Sequence, residues 1–329
     1  MKKQIIAAAV AATMTSVALA DISITGATKV NYTNTEYDDG TTSNAVKNET
    51  DVKITGKNGD TTVVIALEMD DSDSQSSSSQ TGSSHGAGTG VDLEDVYMTT
   101  KVGDLTVKAG DWDNGNNFLR GSDRVANQLQ VNGSIGPVGV QFNSGHGASD
   151  EKVTVSTAVG GVNLKYVTQA KDNEIVASTN VGGVGVTFHL DNNDAANTDK
   201  SSLELTGKVG DMGVKFVQID TDSGATAHGD TWAGDFEGTT SGGYKYQTAA
   251  DIMAIELSTT LAGNGVKLIH TAVDADAAVG GRDADNNKLV VTRPLASGAT
   301  FELTYTSSDV TGVAAESGDT LDLELSVKF

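Results

Sequence analysis

Cysteine is absent from the 329 residues, and proline occurs only twice. Without cysteine there is no disulfide frame, no thiol nucleophile and no thiolate metal site, so stability must come from the fold itself. After residue 20 no segment holds 18 consecutive apolar residues. If this chain lives in a membrane, it does so as a barrel of strands. Basic residues are scarce: 22 Lys and Arg stand against 44 Asp and Glu, a formal charge of -22. Such a balance argues against nucleic acid or anionic lipid as a partner and is compatible with attraction of cations.

Catalytic constellations are poor as well. The histidines, His85, His146, His189, His228 and His270, are scattered, and none has a partner at metal-ligand spacing. His228 near Asp230 is the nearest approach to a catalytic pair, and a loop histidine is far more often inert. No enzyme and no catalytic residue is expected. Asp70, Asp71, Asp73 and Asp92 flank a serine-rich tract, and Asp274, Asp276, Asp283 and Asp285 crowd another connection. Clustered oxygen donors bind calcium in some loops, but the EF-hand spacing and glycine-rich nonapeptides are missing. Hydrophilic loops are the better reading, with no cofactor and structural calcium only as an alternative.

What is present begins with an export signal. Lys2 and Lys3 precede an apolar stretch from Ile5 to Leu19, and Ala18-Leu19-Ala20 supplies a small-residue cleavage site before Asp21. The mature chain is then 21–329, with a charge of -24 once the two lysines are gone.

That chain is written in a period of two. Its last residues alternate Leu321, Leu323, Leu325, Val327 and Phe329 with Asp322, Glu324, Ser326 and Lys328, one face apolar and the other polar. The same pattern recurs in Ile22 to Tyr32, Val63 to Met69, Val184 to Leu190 and Phe301 to Tyr305. Tight glycine turns are expected near Gly59, Gly103, Gly136, Gly160, Gly182, Gly210, Gly263 and Gly298. Longer polar connections are expected at 34–46, 70–90, 111–126, 143–150, 191–199, 220–248, 273–286 and 307–319. Short turns on one rim and long loops on the other characterise an outer-membrane barrel. A strand of about ten residues tilted near 45° rises about 24 Å, enough to cross the apolar band.

Aromatics sharpen this. Tyr32, Phe142, Tyr166, Phe188, Phe216 and Tyr305 fall at the loop end of the apolar face, as an interfacial belt requires and a sandwich core does not. The count predicts an all-β transmembrane antiparallel barrel of about 16–18 strands. The terminal strand should pair with Ile22 to Thr33 and remove the sheet's open edge.

The signal segment, the hairpins, the stretch DVYMTTKVGDLTVKAG from Asp95 to Gly110 and the terminal Val327-Lys328-Phe329 together resemble a Gram-negative general porin. The resemblance implies passive diffusion of small hydrophilic solutes and ions across an outer membrane, a homotrimer embedded in lipid, and assembly machinery that reads Phe329. It also implies that 111–126, DWDNGNNFLRGSDRVA, folds into the lumen, although the Pro-Glu-Phe-Gly run of the family is missing. Asp111, Asp113, Asp123, Arg120 and Arg124 would then form a constriction. Strand parity places Lys29, Lys53, Lys101 and Lys108 on the polar, lumen-facing set of the wall. Acid and base opposed across a narrow gap grade ions by sign, and the net charge favours a modest cation preference. The alternative is a secreted or surface-layer acidic β protein that binds calcium and has no lipid-facing band.

Overall fold

A computed structural model describes residues 21–70, 90–117, 121–144, 151–169, 172–193, 198–221, 250–275, 283–312 and 317–329. The expected signal segment, 1–20, lies outside them. The first third holds β1 (Asp21–Tyr37), β2 (Thr42–Asn58), β3 (Thr61–Asp70), β4 (Gly90–Val102), β5 (Leu105–Asn117) and β6 (Gly121–Ile135). Then come β7 (Val138–Asn143), β8 (Lys152–Val159), β9 (Val162–Gln169), β10 (Asp172–Val181), β11 (Val184–Asn193) and β12 (Thr198–Val209). The last are β13 (Met212–Thr221), β14 (Ala250–Leu261), β15 (Asn264–Ala275), β16 (Ala284–Pro294), β17 (Ala299–Val310) and β18 (Gly318–Lys328). Each strand pairs antiparallel with the next, and β18 pairs with β1, so the 18-stranded sheet closes on itself. The higher of the two expected strand numbers is the one found.

Glycine makes the tight rim. All eight expected turns lie between strands, and at Gly182-Gly183 the φ angles of +61° and +89° give the doubly left-handed turn that matches strand twist. The opposite rim departs from expectation twice. β1 and β2 run on to Tyr37 and Thr42, so their connection is only 38–41, where the Asp39 carboxylate accepts hydrogen bonds from the Thr41 amide and hydroxyl at 2.8 and 2.6 Å. β9 and β10 are separated by residues 170–171 alone, a connection that the polar-loop pattern passes over. The other loop-rim connections fall largely outside the described residues.

The two faces follow the period of two. Ile22, Ile24, Val30, Tyr32, Leu164, Tyr166, Phe188, Tyr305, Leu325 and Val327 are exposed on the outside, where an apolar band is formed. Above it, towards the loop rim, outward aspartates stand directly opposite one another, Asp251 by Asp274 and Asp285 by Asp309. Like charges so placed are tolerated only in water, so they mark the upper edge of the band. In β4 the alternation slips by one at a bulge: Leu67 pairs with Leu93 but Ala66 with Asp95, leaving Glu94 as the extra residue.

Closure is staggered. β18 pairs with Ala27 to Tyr37 rather than with Ile22 to Thr33, and the first five residues of β1 pair with β2 only. Tilted strands cannot close a barrel in flush register, so the seam is displaced towards the loop rim. The chain end completes it: Gly26 donates to the Phe329 carbonyl at 2.9 Å and Phe329 donates back at 3.0 Å. Phe329 lies so close over Gly26 that a Cβ there would meet its ring and the Asp51 carbonyl. Replacing Gly26 with Val should therefore destabilise the seam by about 1–3 kcal/mol, as overpacking does. The test is urea unfolding followed by loss of the SDS-resistant folded band; Phe329→Ala in the same chain should recover part of the loss.

Candidate functional site

The site is the inside of the barrel, and it is built from the alternate residues of every strand. Those residues are not uniformly wet. From β9 round to β18 the half towards the loop rim carries buried inward side chains on each strand. One hydrogen-bonded row, Ile219, Ile252, Val273, Ala284 and Val310, is apolar throughout. The next row, Val217, Ala254, Thr271, Asn286 and Ser308, is buried too, with Val217 at 0% exposure. Strand parity marks the lumen-facing set of the wall as polar. Here the inner wall is packed instead.

Charges are buried in the same sector. Glu174 on β10 is 1% exposed and meets Lys165 on β9 at 2.8 Å. Asp191 and Lys200 lie buried in register with each other on β11 and β12. A carboxylate so deeply placed is tolerable only while compensated, since water cannot replace a lost partner.

The expected wall lysines divide. Lys29 on β1 faces Glu49 on β2 at 2.8 Å, with side chains 41% and 30% exposed. Lys53 is in register with Ala66 one step towards the turn rim from Asp51. Lys108 is held over two rings, 3.9 Å from the Tyr97 centroid and 4.2 Å from that of Trp112, which themselves meet edge to face at 6.1 Å. Cation–π contact fixes the direction of this ammonium more firmly than a surface lysine would be fixed. Lys101 stands apart at the turn rim, exposed and opposite Thr106.

Acids on the same inner face were missed, although parity marks them as clearly as it marks the lysines. Glu49, Asp51 and Glu68 bring carboxylate oxygens within 4.8 Å of one another. Glu94, turned inward by the β4 bulge, stands beside Glu68. Asp92 pairs with Glu68 in register.

The expected constriction loop is a hairpin. β5 and β6 continue as far as Asn117 and from Gly121, pairing Trp112 with Val125 and Asp113 with Arg124. Beyond Asp111 this hairpin has no register partner on β4, and β6 pairs with β7 only from Gln130 onward. It is therefore separate from the wall on both flanks. Gly110, at φ +133°, is where β5 turns away, and a Cβ there would collide with the Val96 carbonyl. Trp112, two residues later, is 2% exposed against the inner face of Tyr97. Asp111 is occupied locally, accepting the Asn127 amide. Arg120 lies outside the described residues, as do the side chains of Asp113, Asp123 and Arg124.

Nearer the turn rim, a cleft of about 390 Å³ opens along β14 to β17 among Lys267, Lys288, Thr292 and Glu302. Lys267 meets Glu256 at 3.6 Å, and the Thr292 hydroxyl donates to Glu302 at 3.0 Å.

An 18-stranded antiparallel barrel, apolar outside and charged inside, is the architecture of outer-membrane channels. Among solved structures, OccK10 (OpdN) of Pseudomonas aeruginosa matches with a TM-score of 0.67 at 10% identity, covering 94% of this chain and 99% of that one. OpdK of Pseudomonas aeruginosa, crystallised with vanillate, matches at 0.66 and 11% identity over 94% and 98%. OccAB3 of Acinetobacter baumannii matches at 0.65 and 8% identity over 94% and 99%. The likeness is one of fold. No family model and no curated protein matches the sequence.

Lys165→Met should cost about 3 kcal/mol, because the buried Glu174 loses the ammonium 2.8 Å away. Chemical unfolding measures this, and the paired change Lys165→Met with Glu174→Gln should return most of the loss.

Proposed function

We propose that the chain is an outer-membrane channel through which small hydrophilic solutes and ions diffuse passively, with a modest preference for cations. The observation that carries this reading is the closed ring with an apolar outer band and a charged inner wall. A secreted acidic β protein would have no use for such a band, because exposed Ile, Leu, Tyr and Phe side chains on this scale would drive association in water. Localisation in the outer membrane and export by the segment 1–20 belong to the same reading.

The hairpin beyond Asp111 is proposed to fold inward and narrow the lumen. Its detachment from β4 and β7 and the seating of Trp112 on the inner side of Tyr97 support that path. Asp113, Asp123, Arg120 and Arg124 are then the charged groups it would carry into the gap, with Lys29, Lys53 and Lys108 on the wall. Assembly as a homotrimer, with Phe329 read by the barrel assembly machinery, completes the proposal. No chemistry is required of any residue.

Purified, folded protein should produce stepwise single-channel currents in planar bilayers. A KCl gradient should give a reversal potential of the sign that indicates cation preference, and removal of 113–124 should raise the unit conductance. Absence of steps sinks the channel reading, whereas unchanged conductance after the deletion sinks only the inward hairpin.

A further inference from the structure

The roots of the β5–β6 hairpin are fixed on both strands. Between the pairs Gly110–Gln128 and Trp112–Val125, β6 has one residue more than β5, a bulge of the kind that bends a ribbon. Asn127 takes up the extra length at φ +54°, a left-handed backbone that asparagine tolerates better than most side chains, and Asp111 accepts its amide. Leu129 then rejoins the wall, its amide donating to the Ser144 hydroxyl at 2.9 Å and its carbonyl accepting the Ser144 amide at 2.8 Å. These bonds fix where the hairpin starts, but not the angle at which it stands. A two-stranded ribbon is marginal by itself, so its direction has to come from side-chain packing.

Trp112 supplies such packing. It is the first residue past Asp111, where pairing with β4 ends, and it is 2% exposed. Lys108, Gly110 and Trp112 hold alternate positions on β5, and with no side chain at Gly110 the indole lies back over the root. Its ring meets that of Tyr97 edge to face at 6.1 Å and stands 4.2 Å from the Lys108 ammonium. The same ammonium is 3.9 Å from the Tyr97 ring, so one cation joins a ring of the wall to a ring of the hairpin. From the other strand Gln128, also buried, donates its side-chain amide to the Trp112 carbonyl at 3.3 Å.

We propose that Trp112 is the positioning residue of the constriction: seated against Tyr97 and Lys108, it sets the angle at which the hairpin stands in the lumen and thereby the width of the passage. The proposal rests on the inward path proposed above and adds the residue that fixes it. Edge-to-face and cation–π contacts have preferred geometries, which is what an angle needs and what aliphatic packing would not supply.

Two readouts test this. In folded protein carrying Trp232→Phe, which leaves Trp112 as the one indole, acrylamide should quench emission at least about fivefold less steeply than it quenches N-acetyltryptophanamide, because close packing excludes the quencher. Quenching as steep as that of the free compound overturns the seating. In bilayers, Trp112→Ala should raise the unit conductance about 1.5-fold or more, whereas Trp112→Phe should stay near the parent value because a smaller ring still packs on Tyr97. The same Trp112→Ala exchange in a chain lacking 113–124 should change nothing. An equal rise in both chains makes Trp112 mere wall filling and overturns the positioning role, as does an unchanged conductance in the full chain. If deleting 113–124 itself leaves the conductance unaltered, the inward path fails and the proposal falls with it, a result distinct from either of those. Should Trp112→Ala not give the SDS-resistant folded band, Tyr97→Leu carries the same comparison from the wall side.

Discussion

Closure of the backbone hydrogen-bond ring is the constraint on which the rest of this structure depends. An edge strand in an apolar surround leaves amides and carbonyls unpaired, each at a cost of several kcal/mol. The seam between β1 and β18 removes both edges, down to the reciprocal bonds of Gly26 with Phe329. A closed ring then enforces alternation, because slipping any strand by one residue would bring its whole polar set to the outer band. The one slip that does occur, at Glu94, is absorbed by a bulge and adds a carboxylate to the inside rather than exposing one outside.

Given a ring this wide, the inner wall needs no core of its own, and the packed sector is thus informative. Ile219, Ile252, Val273, Ala284 and Val310 would be poor lining for water and are buried instead. Their row continues the same hydrogen-bonded register that holds outward aspartates one position away, as with Asp251 beside Ile252. Each of these strands is amphipathic in reverse near the loop rim, apolar within and acidic without. That inversion separates the part of the wall meant for an apolar surround from the part that stands above it in water.

Much of this was legible from residues alone, because turns and faces are local properties. A glycine pair such as Gly182-Gly183 declares its turn without reference to any other strand, and Tyr166 or Phe188 declares its face by counting back from that turn. Registers between distant segments are not local. The displacement of the β1–β18 seam comes from the tilt summed around the ring, which no ten-residue window contains. The continuation of β1 and β2 to a four-residue connection was hidden because Thr35 and Glu36 on one side and Thr42, Ser43 and Asn44 on the other are polar on both faces, which reads as loop. The acids Glu49, Asp51 and Glu68 lay in plain view of parity, but their meeting depends on three strands being in register, and single-strand reading gives no reason to group them.

The hairpin and the acidic sector share one structural cause. β5 can leave β4 only because Gly110 has no Cβ to strike the Val96 carbonyl, and it leaves with Trp112 seated against Tyr97 and Lys108. From that point on β4 has lost its neighbour on one side while still paired with β3 on the other. The inward side chains of β3 and β4 beyond that point, Glu68, Asp92 and Glu94, consequently stand where β4 pairs with β3 alone. Had β5 stayed paired to its end, this edge of the inner wall would have been continuous. The glycine at which the pairing of β5 with β4 runs out therefore also sets where the acids of β3 and β4 stand in the wall.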